Sequence, residues 1–176
     1  MVNDKKKMIL EILRNSEGWT TGEKIAEKLA ISRVAVWKHI NYLKKSGYRI
    51  DSSPSGYFLE TKEKLSRPWE FTGFSERVSW KHIASSTMEE AKKQINKAET
   101  APQYTIADIQ TRGRGRKKRT WASPEGGVYL SCFFKPNLPV PYINRYLFAA
   151  MLLVRESVGN TAGVNLELKW PNDFLF

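Results

Sequence analysis

The chain has 176 residues, 41% of them hydrophobic and 12% aromatic; that length allows one or two domains, and that apolar content excludes a disordered chain. No run nears the roughly 20 apolar residues of a membrane helix, and a single cysteine, Cys132, excludes an internal disulfide framework and a cysteine-rich zinc site. Lys and Arg outnumber Asp and Glu by 29 to 18, and the excess sits in two places: twelve basic against seven acidic residues over 1–62, and six against none over 111–121.

Met8, Ile9, Ile12 and Leu13 recur at helical spacing and predict an amphipathic helix over 5–15. Thr21 is placed to cap a second helix with Ile25, Ala26 and Leu29 on its inner stripe. Lys24 at the third position leaves the capping box incomplete. After the turn Ala30-Ile31, Ser32 caps a third helix that buries Val36, Ile40 and Leu43 and stops at Gly47 in the left-handed conformation. Tyr48–Ile50 and Tyr57–Leu59 flank the turn-rich Ser52–Gly56 and read as a hairpin.

Three helices, a hairpin and excess positive charge make a winged helix-turn-helix pattern over 1–62, with DNA as the anionic partner. The solvent side of the third helix carries Arg33, Val34, Trp37, Lys38, Asn41 and Lys45. Arg33 suits guanine or phosphate, and Lys38 and Lys45 suit phosphates. Ser32 can donate to a phosphate while capping, and Ser53 lies at the wing tip. His39, beside the buried stripe, is read as a packed histidine. Trp37 serves either a nucleic-acid contact or packing. A solvated interaction module is the plain alternative to DNA binding.

Residues 63–75, charged and without strong periodicity, read as a linker, and 76–176 as a second unit. Val78–Ile83 alternates as a strand and runs through Ser85-Ser86-Thr87 into a helix bearing Met88, Ala91 and Ile95. Hydroxyls and free backbone N–H groups converge at such a junction, which suits capping, ligand binding or both. Tyr104–Ile109 is a second strand ending at Gln110. The basic island Thr111–Trp121 follows as a loop, its Gly113 and Gly115 allowing close backbone approach to a ligand. Its four arginines and two lysines offer contacts to phosphate or carboxylate. It lies between strand-like segments, since Gly127–Phe134 alternates too, and this favours a ligand site over an unspecific nucleic-acid tract or a localisation signal. Ile143–Val158 predicts a helix with Tyr146, Leu147, Ala150, Leu153 and Val154 inside. Val164–Leu168 predicts a strand ending at Lys169, where Pro171 blocks further pairing.

The run Thr111-Arg112-Gly113-Arg114-Gly115-Arg116 with Arg119 and Trp121, followed by Lys169-Trp170-Pro171-Asn172-Asp173, resembles the catalytic domain of biotin protein ligases. With the winged helix in front, nearly the whole chain resembles the bifunctional ligase–repressor form of that family. The resemblance implies an α+β catalytic domain of the biotin/lipoate ligase type. It also implies a two-step reaction, in which biotin and MgATP form biotinyl-5′-adenylate and the adenylate then acylates a lysine of a biotin carboxyl carrier protein. Carried over by motif position, Ser86, Thr87 and Gln110 hold the ureido head, with Met88 where the family often has Asn. Arg114, Gly115 and Arg116 close over carboxylate and phosphate, with Gly113, Arg119 and Trp121 in the same run. Lys169 neutralises the reacting centre, beside Asn172. Lys169, Arg114 and Arg116 are the catalytic candidates. No metal site of the protein's own is implied; magnesium comes with ATP. The resemblance further implies binding to a biotin operator, homodimers through the central sheet and no membrane. The N-terminus, Met-Val-Asn-Asp-Lys-Lys-Lys, has no apolar signal core, so a cytoplasmic location is expected.

The family continues past this motif with further strands and a small C-terminal domain, so the chain is expected to be truncated within the catalytic domain. The alternative function is a DNA-binding regulator whose ligand-binding domain is inactive. A lipoate ligase-like acyltransferase is a third reading, against which the arginine-glycine loop argues.

Overall fold

The computed structural model describes residues 2–97, 101–115, 119–170 and 172–176. Two compact units form, Met1–Phe134 and Lys135–Phe176.

The first unit begins with α1 (Val2–Arg14), α2 (Gly22–Leu29) and α3 (Arg33–Lys45). Thr21 and Ser32 cap the second and third helices as expected, their hydroxyls accepting from the backbone N–H of Lys24 and Ala35 at 3.2 and 3.1 Å. Ala30 stops α2 at φ 49°, a conformation that costs a non-glycine residue on the order of 1 kcal/mol. The tight turn between the two helices imposes it. Ile9, Leu10, Leu13, Ile25, Leu29, Val36, Ile40 and Leu43 are buried together. The inner stripe of α1 is therefore Ile9, Leu10 and Leu13, whereas Met8, expected inside, is half-exposed. Adjacent residues 9 and 10 both turn inward because α1 is covered on two sides, by the helices and by the residues around Trp69.

Gly47 follows α3 at φ +97°, as its position predicts. The wing is the antiparallel pair β1 (Ile50–Ser53) and β2 (Gly56–Leu59). A bridge between Thr20 and Tyr57 ties it to the entrance of α2. Residues 63–75 dock on this unit: Trp69 is 2% exposed, and its indole N–H donates to the Tyr48 hydroxyl at 3.0 Å. That hydroxyl donates to Glu70 at 2.6 Å, and Arg14 holds both carboxylate oxygens of Glu70. Burial and the neighbouring carboxylate hold the Tyr48 phenol far above its ordinary range.

β3 (Val78–Ala84), α4 (Thr87–Lys92) and β4 (Gln103–Arg114) make a parallel β–α–β unit, with Val78 level with Tyr104 and Ala84 with Gln110. The other edge of β4 is divided. Its first half, Gln103–Ala107, pairs antiparallel with β6 (Tyr129–Phe133), and its second half, from Gln110, pairs with β5 (Thr120–Ser123). Among its described residues the basic island is thus largely strand: residues 111–114 continue β4 and Thr120-Trp121 open β5. Register shifts between Gln110 and Gly113, and this bulge re-aims the arginine-bearing end.

The second unit holds α5 (Asn144–Ala162) and the hairpin β7 (Glu167–Lys169) and β8 (Asp173–Leu175). Gly163 ends α5 at φ +67°. The Arg155 guanidinium donates to the carbonyl of Leu166 at 2.8 Å and pins helix to hairpin. Met151 is buried, but Leu147, Leu153 and Val154 of the expected inner face are exposed, because this short unit has little to lay over the helix.

Candidate functional site

Two sites take shape in the first unit. The first gathers at the carboxyl end of β3, the start of α4 and the β4–β5 hairpin. Ser86 and Thr87 are buried, at 2% and 4% exposure. Ser86 occupies the N-cap position of α4, yet its hydroxyl makes no cap bond, so capping does not consume it. The backbone N–H and the hydroxyl of Thr87 both donate to Gln110 Oε1, at 2.8 and 3.2 Å. Gln110 Nε2 in turn donates to Ser123 Oγ at 3.0 Å, and Ser131 donates to Thr87 Oγ1 at 2.8 Å. One amide hydrogen of Gln110 remains for a ligand after Ser123 is served. The sequence signalled Gln110 and Thr87 but not Ser123 or Ser131. Ser131 could have been found as the hydroxyl at an alternating position of an otherwise apolar strand.

The arginine-bearing end lies beside this network. The Arg112 backbone N–H donates to the Ser85 carbonyl at 2.8 Å, and the Gly115 N–H to the Arg119 carbonyl at 2.7 Å. A cavity of about 450 Å3 is bounded by Arg112, Gly113, Arg114, Arg119 and Thr120. Arg114 is ion-paired at 2.9 Å with Glu89 of α4, a partner that sequence spacing did not reveal. A pair this exposed contributes under about 1 kcal/mol, so an arriving anion can replace Glu89 with little opposition. Met88 and Trp121 stand exposed near these elements. Arg116, with Lys117 and Lys118, lies outside the described residues.

Lys169 and Asn172 belong to the second unit. Lys169 ends β7 opposite Asp173 of β8, and Trp170 and Asn172 are exposed in the tight turn between them. Pro171 lies outside the described residues.

The second site is the outer face of α3. Val34 and Trp37 are 63% and 56% exposed, and with Arg33, Ser52, Ser53 and Tyr57 they bound a groove of about 560 Å3 between helix and wing. Lys38 and Lys45 are exposed along the helix and Asn41 is half-buried. Lys44 donates to Ser52 at 2.8 Å and braces the wing against α3. His39 is half-buried, and burial together with Lys6 and Lys5 lowers its pKa, so it stays neutral near pH 7. Among the described residues no cluster of three or more His, Cys, Asp or Glu could hold a metal, and no helix is long and apolar enough to cross a membrane.

A winged helix-turn-helix joined to an α+β ligase-type domain is the class these features define. Residues 5–58 match the HTH domain and residues 80–176 the Biotin/lipoate A/B protein ligase family. The second match takes in more than half of the chain, which belongs to the biotin/lipoate A/B protein ligase family. The Bifunctional ligase/repressor BirA of Bacillus subtilis (strain 168) is 36% identical over 163 residues, which cover 88% of this chain and 50% of that protein. The protein of the same name from Escherichia coli (strain K12) is 29% identical over 170 residues, covering 94% and 52%. The chain thus spans about half the length of these relatives. The biotin protein ligase of Leishmania major, solved in complex with biotin, superposes with a TM-score of 0.50 and 25% identity, covering 57% of this chain and 46% of that one.

Proposed function

We propose that this chain activates biotin with ATP, passes the biotinyl group to a lysine of a biotin carboxyl carrier protein, and represses biotin genes by binding their operator through α3 and the wing. Residues 1–62 are the DNA-binding domain, 63–75 the linker and 76–176 part of the ligase catalytic domain. The observation that carries the reading is the buried junction at Ser86-Thr87. There a hydroxyl not spent on capping and an ordered Gln110 amide stand beside the arginine-bearing hairpin. A polar, uncharged head and an anionic tail fit that sequence of donors. The names of the relatives, ligase and repressor, and the biotin held by the Leishmania major enzyme support the same assignment.

In the first step a carboxylate oxygen of biotin attacks the α-phosphorus of ATP, and the bond to pyrophosphate breaks. Two anions must meet, so Arg114, Arg116 and Lys169 offset their repulsion and the charge spread in the transition state. Magnesium enters on the ATP phosphates, where it keeps oxygen ligands of the substrate. In the second step the carrier lysine amine attacks the biotinyl carbonyl, a C–N bond forms, AMP leaves and the amine loses a proton. The hairpin closing over the mixed anhydride keeps water from it. We extend the reading to a homodimer built on the central sheet and to a cytoplasmic location.

The test is release of pyrophosphate. It should require biotin and MgATP together, and Lys169→Ala should lower the rate by on the order of 100-fold or more, as loss of an electrostatic stabiliser does. A chain that releases none, yet still binds DNA, would be a regulator and not a ligase.

A further inference from the structure

We infer that α3 selects its DNA by the C5 methyl groups of thymine, which Val34 and Trp37 cover. The inference rests on the DNA-binding half of the proposed function and names the feature of the bases that this face takes.

Two large apolar side chains stand in water in the middle of a cationic face. Val34 and Trp37 are both well exposed, and they lie three residues apart on α3. Their Cβ atoms are therefore about 5–6 Å apart on one side of the helix. Arg33, Lys38 and Lys45 are exposed around them. The core needs neither residue, because Val36, Ile40 and Leu43 fill the inner side of α3. Other aromatic residues of this unit are spent on one another: Trp19 lies against Phe58, and Tyr42 and Tyr48 lie against Trp69. Among the described residues no ring and no hydrogen-bond partner holds the Trp37 side chain. The sequence left Trp37 open between packing and a nucleic-acid contact; within this unit its packing is unspent.

The charges around the pair say what covers it. Exposed arginine and lysine on both sides complement a polyanion, which favours DNA over an apolar protein surface. Within the groove of about 560 Å3 between α3 and the wing, Val34 and Trp37 share the lining with Glu23. A carboxylate opposes phosphate but accepts from the amino groups of cytosine and adenine. The groove is thus fitted for base edges, and the phosphates fall to the flanking cations. Among the base edges of the major groove, the apolar group is the thymine methyl. Covering it with valine or indole removes apolar surface from water on both partners. Base pairs follow one another every 3.4 Å or so, hence side chains about 5–6 Å apart reach methyls one or two steps apart. A hydrogen-bonding side chain at either place would read a donor or acceptor instead; valine has neither.

The test removes the methyl and nothing else. A duplex is selected from a random pool by the full chain, and each thymine in it is then replaced singly by deoxyuridine, which keeps the base pair. Affinity should fall about three- to fivefold at one or two thymines, as loss of one buried methyl implies, and by under about 1.5-fold at the others. Val34→Ser and Trp37→Gln should each weaken binding and abolish the uracil effect at one thymine while leaving it at the other, as coupling between two contacting groups requires. The slope of log affinity against log salt should stay unchanged in both variants, because neither loses a phosphate contact. Both positions are exposed, so melting temperatures should stay within a few degrees; if a variant unfolds, the uracil series on the unaltered chain decides alone. Uracil tolerated at every position would overturn the inference and leave the apolar pair to a protein partner. Variants that keep the full uracil effect would overturn the assignment to these two residues. If the pool yields no duplex bound above random sequence, the DNA-binding half of the proposed function fails, and this inference with it.

Discussion

At Gly113 an added Cβ would lie 2.5 Å from the Trp121 carbonyl and 2.6 Å from Ser123 Oγ, in the pairing of β4 with β5. Gly113→Ala should therefore push the two strands apart, costing about 1–3 kcal/mol and weakening a non-hydrolysable sulfamoyl analogue of biotinyl-5′-adenylate at least tenfold by calorimetry. The sequence pointed to a glycine needed for close approach to a ligand; the structure adds the approach of a neighbouring strand. Glu90 makes a second argument at this scale. Hydrogen bonds from Lys81 and Lys93 hold its carboxyl below the usual range. A carboxylate lowered on folding stabilises above its unfolded value, about 4.3, and that stabilisation is lost as pH falls through the lower folded value. Glu90→Gln should accordingly flatten the fall in melting temperature between about pH 5 and pH 3.

At the scale of elements, the first three helices were plain in the sequence because apolar residues recur every three or four places and Thr21 and Ser32 cap the second and third. The wing was equally plain, its turn chemistry lying between two β-prone runs. Three features were not. Composition marked 111–121 as one repelling cationic loop, but pairing with β5 draws its first four residues into a strand; backbone hydrogen bonds outweigh a charge density that solvent screens. The inner face assigned to α5 was read from periodicity alone, which gives a stripe but not what covers it. The ion pair of Arg114 with Glu89 joins residues far apart in sequence and leaves no local signal. For α3 the reading is concrete. Arg33→Ala should weaken DNA binding and flatten the slope of log affinity against log salt by about 1, as loss of one phosphate contact does. An unchanged slope in a filter-binding titration would take Arg33 out of the contact.

Across the whole molecule the net charge of +11 divides between the helix-turn-helix module and the arginine-bearing hairpin, with near-balanced stretches elsewhere. That division was visible by counting, and it supports two anionic partners over one uniformly basic surface. The ion pair of Arg67 with Asp108 was not visible. Arg67 sits in a charged, aperiodic stretch, and nothing in its neighbours' identities announces a partner 41 positions on. A segment that reads as a mere connector holds Trp69 in one core and Arg67 against one strand.

The divided edge of β4 has its own mechanical meaning. Because β6 fastens Gln103–Ala107 and β5 fastens the stretch from Gln110 onward, the strand is zipped by two independent sliders that meet near Asp108. Parting β4 from β5 would therefore break only the hydrogen bonds beyond Gln110 and leave those of Gln103–Ala107 with β6 in place.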